Sequence, residues 1–393
     1  MYDPAVPSPP MPSEHCFSKS VIEDITGLRF SDNNTLRLLE SGQETFDEIF
    51  KAVSNAQDII CMEFYIFKDD NTGKRLAEAL MKKAAQGVSV YLLYDHFGSF
   101  LTSAGFWSGM RKAGIKIRVS HPFKWSAPRG YKYRNHKKLL IIDSNKAFIG
   151  GFNIADEYHG HLNKKVTPWR DTGIYIEGPV VSALFSMFVK SWATWNGRPI
   201  IHDMESIPST HGIPVIPVFA NSGRERRRMK RLLVYSIKNA KESILITTAY
   251  FSPGLRIMRA LISAARRGIK LRLLLPGETD VMSVFYAGRS HYNNLLKAGA
   301  EIYNYRNSVL HSKTFVFDGC WSIVGSANLD TQSLRMNEES NVGILDAGFG
   351  GQMSVSFEND LKRSVRIDLS TWKNRPFYQK VLEKFFFVVM KKL

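Results

Sequence analysis

The apolar positions of this chain fall in long runs that barely alternate, and two of those runs open alike. Asn55-Ala56-Gln57-Asp58 precedes the run IICMEFYIF, and Asn239-Ala240-Lys241-Glu242 precedes SILITTAYF. Each run leads into a stretch of helical spacing that ends in glycine and passes into a second strand, KKAAQGVSVYLLYD around Gly87 and SAARRGIKLRLLLP around Gly268. Each half then reaches Lys-Ala-Gly and a third strand, KAGIKIRV at Lys112 and KAGAEIYNY at Lys297. The order strand, helix, strand, helix, strand thus recurs twice. Such alternation predicts an α/β fold of two related repeats, each a mixed β-sheet flanked by helices, and unalternating runs suit strands covered on both faces.

A length of 393 residues agrees with two fused units, since it exceeds what one core usually holds. The expected division is a tail over 1–30, a first repeat over 31–199, a linker over 200–218, a second repeat over 219–370 and a C-terminal amphipathic segment over 371–393. The linker is placed by its prolines (Pro208, Pro214, Pro217) and its weak periodicity.

The candidate chemistry repeats with the fold. Arg134-Asn135-His136-Lys137-Lys138 leads through an apolar stretch to Asp143, and Gly150-Gly151-Phe152-Asn153 follows. In the second half His311-Ser312-Lys313 leads to Asp318, and Gly325-Ser326-Ala327-Asn328 follows. Histidine, lysine, aspartate, glycine and asparagine stand at identical offsets in both. One such motif is expected by chance in roughly one of 10⁵ chains of this length, so two in equivalent places exclude coincidence.

The spacing states a geometry. His136 and Lys138 are two apart and share one face of a strand. Asp143-Ser144-Asn145-Lys146 and Asp318-Gly319 are turn sequences, which makes Asp143 and Asp318 structural. The antiparallel return brings Asn153 beside His136 and Lys138, and Asn328 beside His311 and Lys313. A phosphodiester needs such a set. Lysine and asparagine neutralise and cradle its non-bridging oxygens, and imidazole attacks phosphorus or moves protons near neutral pH. Two histidines from two halves supply one nucleophile and one general acid. No metal and no cofactor are required, because the lysines already bring positive charge.

The double pattern resembles the phospholipase D superfamily. It is most similar to bacterial cardiolipin synthases, with further likeness in MEFYIFKDD near Glu63, TAYFSPG near Tyr250 and the segment from Phe357 to Pro376. The resemblance runs from about Arg37 to Glu383. It implies an active site at the interface of two pseudo-two-fold-related repeats. His136 would attack phosphorus to form a phosphohistidine, and His311 would protonate the leaving alcohol and then deprotonate the acceptor. Lys138, Lys313, Asn153 and Asn328 would hold the phosphate, joined by Ser326, which stands where the first half has Gly151. The family also places a carboxylate behind each histidine. Asp171-Thr172-Gly173-Ile174 aligns with Glu339-Ser340-Asn341-Val342, so Asp171 and Glu339 are expected there, with Glu338 the near alternative.

Charge and apolar segments bear on the partner. Lys+Arg number 53 against 36 Asp+Glu, a net charge of +17 that suits a polyanion. The sequence expects a phospholipid such as phosphatidylglycerol and an anionic membrane surface. Trp125 to Arg134 mixes aromatics with cations and reads as a lip at the active-site mouth, while Arg224 to Arg231 is a dense basic block. Phe377, Val381, Phe385 and Val389 recur at helical spacing near flanking lysines, as in an interfacial helix. Glu63 is acidic within an apolar strand and needs a partner if buried. Cys16, Cys61 and Cys320 are too far apart for a disulfide framework or a zinc knuckle. The Pro-rich start has no signal-peptide pattern, and no run approaches the roughly 20 apolar residues of a membrane span. The expected function is phosphatidyl transfer forming cardiolipin, peripheral on the bacterial cytoplasmic membrane. The alternatives are hydrolysis to phosphatidic acid and a nuclease; the apolar tail and the double motif argue against nucleic acid.

Overall fold

The two expected repeats build one sheet. The structure, a computed structural model, describes residues 17–126, 131–160, 167–202 and 212–392. The first half runs α1 (Lys19–Thr26), β1 (Ser31–Leu39), α2 (Gly42–Asn55), β2 (Ile59–Phe64), α3 (Asn71–Ala85), β3 (Ser89–Asp95), α4 (Ala104–Lys112) and β4 (Lys116–Ser120). It continues with β5 (Lys138–Ile142), β6 (Lys146–Gly150), α5 (Asp156–His159), β7 (Gly173–Glu177) and α6 (Val180–Thr194). The second half opens with β8 (Ile213–Phe219), α7 (Gly223–Asn239), β9 (Ser243–Thr248), β10 (Phe251–Ser252), α8 (Leu255–Arg266), β11 (Lys270–Pro276), α9 (Met282–Arg289) and α10 (Tyr292–Lys297). Then come β12 (Glu301–Tyr305), β13 (Lys313–Phe317), β14 (Trp321–Gly325), β15 (Leu329–Asp330), α11 (Thr331–Arg335), β16 (Ser340–Leu345) and α12 (Ala347–Leu361). β17 (Ser364–Ile367), α13 (Leu369–Lys373) and α14 (Phe377–Lys392) close the chain.

Among the described residues fifteen strands pair in the order β17-β12-β11-β9-β13-β14-β16-β8-β1-β7-β6-β5-β2-β3-β4. The order reads the same outward from β8 and from β1, apart from the added β17. In both arms the outer strands are parallel (β2, β3, β4 and β9, β11, β12) and the motif hairpins antiparallel. Each arm is the mixed sheet expected from the sequence.

Helices cover both faces, which is why the strand runs do not alternate. All six residues of β2 are buried. On one face α6 and α12 share a single core with strands of both arms, where Leu184, Phe188 and Trp192 meet the cluster of Val316, Val342, Phe349 and Phe357. On the other face α2, α3 and α4 cover the first arm through Phe46, Leu76 and Trp107. There α7 and α8 cover the second arm through Leu232 and Leu261. The direct β1–β8 ladder holds only at Ser31–Val215 and Asn34–Ile213, with an irregularity between. Backbone hydrogen bonds contribute about 1 kcal/mol each, whereas burying one Leu or Phe contributes roughly 1.5–3 kcal/mol. The shared core, more than the ladder, fixes the two arms to each other.

Three sequence boundaries change. Residues 203–211 of the expected linker lie outside the described residues, but Ile213–Phe219 is a strand, β8, at the centre of the sheet. Pro214 and Pro217 are tolerated there because the ladder to β1 is interrupted and asks few N–H donors of β8; Asn34 bonds the Ile213 carbonyl with its side chain at 3.0 Å. Of the expected tail, 1–16 lie outside the described residues, whereas Lys19–Thr26 is a helix docked on the second half. Ile22 is fully buried, and the Phe17 ring meets Tyr235 and Phe317 edge-on at 6.0 and 6.1 Å. The C-terminal segment is not free to lie wholly on a membrane. One side of α14 packs on α9, with the buried Glu383 bonded to Arg289 and Arg375 and the Tyr286 ring stacked on Phe386.

The motif aspartates sit at the hairpin turns. Asp143 accepts from the N–H groups of Gln57, Asp58 and Ile59 at 3.0, 2.9 and 3.2 Å. Asp318 accepts from those of Lys241, Glu242 and Ser243 at 2.8, 2.8 and 2.9 Å. Each carboxylate thus ties a motif turn to the start of the neighbouring strand. Asp318→Ala leaves three N–H groups without this acceptor. It is expected to lose about 2–4 kcal/mol of stability, read as a lower urea midpoint at an unchanged slope. A loss below about 0.5 kcal/mol, the range of ordinary surface changes, contradicts this role.

Candidate active site

The two motif strands begin at the lysines, and each histidine lies just upstream on a segment held by the opposite half. The His136 N–H donates to the Glu338 carbonyl at 2.9 Å, and the Glu338 N–H donates to the Arg134 carbonyl at 2.8 Å. In the mirror position the His311 N–H donates to the Arg170 carbonyl at 2.7 Å, and the Arg170 N–H donates to the Val309 carbonyl at 2.9 Å. Both partner segments continue directly into the residues that carry the carboxylates.

The carboxylates are therefore crossed. Glu339 of the second half reaches Nδ1 of His136 at 3.0 Å, and Asp171 of the first half reaches Nδ1 of His311 at 2.6 Å. Nδ1–H donates to the carboxylate, which leaves each Nε2 as an acceptor, and that of His311 lies 3.5 Å from the Tyr158 hydroxyl. Lys313 Nζ also lies 2.6 Å from His311 Nδ1, but one nitrogen cannot donate to Asp171 and accept from Lys313. The ionised carboxylate takes the proton, and Lys313 donates to the His311 carbonyl. Lys138 likewise donates to the carbonyl of its own histidine, His136, at 2.6 Å.

Burial sets the electrostatics. It lowers the His311 imidazole well below its ordinary value, with Lys313 and Lys138 adding repulsion. It lowers His136 as well, and Glu339 offsets part of that shift. Burial lifts Asp171 to about 6 against the pull of Lys313. At Glu339 burial acts upward, but His136 and Lys138 outweigh it and hold the carboxyl below the usual range. Lys313 is lowered to about 8 by burial, partly countered by Asp171 and Glu339. Burial and the neighbouring Lys313 put Lys138 well below a normal lysine.

His136, His311, Asn153 and Asn328 line one cavity of about 480 Å³ between the arms. The asparagines are held symmetrically. Asn153 Oδ1 accepts from the Ile66 N–H at 3.1 Å, and Asn328 Oδ1 accepts from the Tyr250 N–H at 3.3 Å. Each carboxamide N–H₂ is thereby turned away from the strand, and that of Asn153 bonds the Tyr158 hydroxyl at 2.7 Å.

Ser326 departs from expectation. Its hydroxyl donates to Glu339 at 2.5 Å and accepts from the Ser340 N–H at 3.0 Å. It positions the carboxylate and does not face the cavity as a phosphate ligand. Gly151, its counterpart, has a reason of its own: a Cβ there would lie 2.0 Å from an oxygen of Asp171. Glu338, the alternative to Glu339, instead bonds His121 at 3.1 Å and Lys137 at 3.3 Å. Glu63 finds its partners, Lys137 at 2.9 Å and Asn135 at 2.7 Å, in a buried layer beneath His136 rather than in the cavity.

Sequence reasoning missed the aromatic walls. Tyr65 meets the His136 ring edge-on at 5.0 Å, and Tyr158 and Trp169 approach His311 at 5.2 and 5.5 Å. Tyr250 is fixed by Asp280, which accepts from its hydroxyl at 2.8 Å, and both line the cavity. Tyr65 and Tyr250 stood in the apolar runs already quoted, but nothing in their spacing separates a wall from a core. Of the expected lip, the described Arg134 borders the cavity. It lies over the Tyr131 and Phe97 rings at 3.9 and 4.8 Å, and Trp125 is exposed; residues 127–130 lie outside the described residues.

Comparison with known proteins agrees with this geometry. The family described as cardiolipin synthase, phospholipase D-like domain, matches residues 49–166 and 233–361, one match per half. The major cardiolipin synthase of Bacillus subtilis is 35% identical over 362 residues, covering 90% of this chain and 74% of that protein. Cardiolipin synthase 2 of Bacillus anthracis is 34% identical over 361 residues, covering 91% of this chain and 70% of that protein. Among solved structures, phosphatidylserine synthase of Haemophilus influenzae superposes with a TM-score of 0.68 at 14% identity, over 93% of this chain and 96% of that one, a likeness of fold. The chain belongs to the cardiolipin synthase family of phospholipase D-like proteins.

The titrations predict a bell-shaped pH profile of kcat/KM. Asp171 must be ionised to hold the Nδ1 proton of His311, so activity falls as pH drops through about 6. Lys313, which donates to the His311 carbonyl and is not among the residues lining the cavity, loses its charge as pH rises through about 8, so activity is expected to fall there. Asp171→Asn should lower kcat/KM by about 10²–10⁴-fold and erase the acid limb, and Lys313→Arg should carry the alkaline limb upward. An acid limb that persists in Asp171→Asn removes this carboxylate from the mechanism.

Proposed function

We propose that this chain transfers a phosphatidyl group from one phosphatidylglycerol to another, giving cardiolipin and glycerol through a phosphohistidine on His136. The observation that carries the reading is the pair of imidazoles on one cavity, each fixed at Nδ1 by a carboxylate and presenting Nε2. His136 Nε2 attacks phosphorus, and the bond to the headgroup glycerol oxygen breaks as His311 gives that oxygen a proton. His311 then takes the proton of the acceptor hydroxyl, whose oxygen attacks phosphorus and breaks the P–N bond. Asn153, Asn328 and the two lysine ammoniums stabilise the charge that develops on the non-bridging oxygens.

The depressed histidines fit this sequence of steps. His311 is lowered by burial and by Lys313 and Lys138. A bound phosphodiester anion lies against the same lysines and offsets their field, so substrate binding raises His311 toward the protonated form that a general acid needs.

The surroundings of the mouth suit a lipid surface. Phe97 lines the cavity and is exposed, as are Phe100 and Leu101 nearby in the chain and Trp125, which is linked to Phe97 through the Phe123 and Tyr131 rings. Val284 of α9 lines the opposite wall, and α14 packs on α9 with Phe377, Val381, Phe385 and Val388 exposed along its outer side. No helix among the described residues is long and apolar enough to cross a membrane. The reading is therefore a chain that lies on an anionic bilayer through these aromatics, aided by its net charge of +17.

Purified protein mixed with phosphatidylglycerol vesicles and EDTA should yield cardiolipin and free glycerol by mass spectrometry. Phosphatidic acid as the sole product would make the chain a hydrolase. His136→Ala should abolish turnover with the fold intact, and a rapidly quenched reaction should carry the phosphatidyl adduct on His136; an adduct on His311 reverses the two roles. Phe377→Asp with Phe385→Asp should release the protein from vesicles while the rate on a monomeric short-chain substrate stays within about twofold. Undiminished vesicle binding would exclude α14 from the membrane contact.

A further inference from the structure

A second cavity, of about 610 Å³, opens beside α7, α8 and α11. Its lining includes Arg227, Lys230, Arg231, Arg256 and Arg335 and no acidic side chain. Among the described residues none of these five side chains pairs with a carboxylate or donates a hydrogen bond. Five cations on one concave surface repel one another unless an anion joins them, and Lys230 registers this. Its amine is lowered by burial and by Arg335, Arg227, Arg226 and Arg256. The N-terminus of α8 adds to the field, for Gly254 and Leu255 line the same wall and Gly254 caps the helix without any side-chain bond. The volume lies in the range of ordinary ligand sites.

We propose that this basic cavity is a second anion site, separate from the active site, which takes the phosphate group of an anionic ligand. The two cavities share α11 as a partition. Gln332 and Ser333 face the histidine cavity, while Thr331, Leu334 and Arg335 face the basic one. Leu255, exposed at the wall of the basic cavity, sets an apolar surface beside the cations, as a lipid headgroup with its chains requires. A free phosphate satisfies the cations but leaves Leu255 in water. The basic block from Arg224 to Arg231 thereby acquires a place, because α7 turns Arg227, Lys230 and Arg231 into the cavity.

The test uses the full chain with Arg231→Glu and Arg256→Glu combined, beside the conservative pair Arg231→Lys and Arg256→Lys. One arm measures co-sedimentation with phosphatidylcholine vesicles containing phosphatidic acid. The other titrates inorganic phosphate by calorimetry. The charge reversal should weaken binding at least about tenfold in the arm that supplies the ligand, and the lysine pair should keep it within about threefold. Loss in the vesicle arm identifies a lipid headgroup, and loss in the phosphate arm identifies a soluble anion. Binding unchanged in both arms overturns the proposal. Neither residue lines the histidine cavity, so an unchanged rate on monomeric short-chain phosphatidylglycerol shows that the variant is folded. If the reversal does not fold, Arg231→Gln with Arg256→Gln gives the same readings.

Discussion

Two crossed imidazole–carboxylate bonds govern this molecule. Glu339 of the second half orients His136 of the first, and Asp171 of the first half orients His311 of the second. Without them each imidazole would be free to rotate, and Nδ1 would not be fixed as the nitrogen that carries the proton. Neither half is therefore a catalytic unit by itself. The sheet and the core under α6 and α12 bring the halves together closely enough for a hydrogen bond across their boundary. Backbone bonds from His136 to Glu338 and from His311 to Arg170 set the register of that boundary one residue away from each acid.

The same boundary concentrates charge away from water. Lys138 and Lys313 are nearly fully buried and face two buried carboxylates and two imidazoles. Burial depresses the lysines and histidines together, and mutual repulsion adds to it at Lys138 and His311. In the proposed reaction a phosphodiester anion would offset that repulsion, which links substrate binding to proton transfer.

The halves are not identical, and the differences fall on the carboxylates. In the second half Ser326 bonds Glu339, which is held below the usual carboxylate range. In the first half Gly151 leaves room for Asp171, a shorter side chain with no such hydroxyl, which rises to about 6. The two imidazoles thus sit against partners of unequal basicity.

Much of this was legible in the residue order. The duplicated runs announced two mixed sheets, and the paired frames placed His136, Lys138, Asn153, His311, Lys313 and Asn328 before any coordinates. Asp143 and Asp318 were readable as turn residues, since a turn is local. The aligned DTGI and ESNV segments pointed to Asp171 and Glu339. Other features were not readable. That β8 is a strand depended on a partner that leaves its prolines unasked. That α14 packs on α9 depended on Glu383 meeting Arg289, 94 residues away in the chain. Ser326 looked like a phosphate ligand until its hydroxyl was seen on Glu339. By itself the sequence determined which groups are present and which share a hairpin, because those relations are set by neighbours along the chain. Only the tertiary structure decided that each acid serves the histidine of the other half, because that pairing is made across an interface which no local spacing encodes.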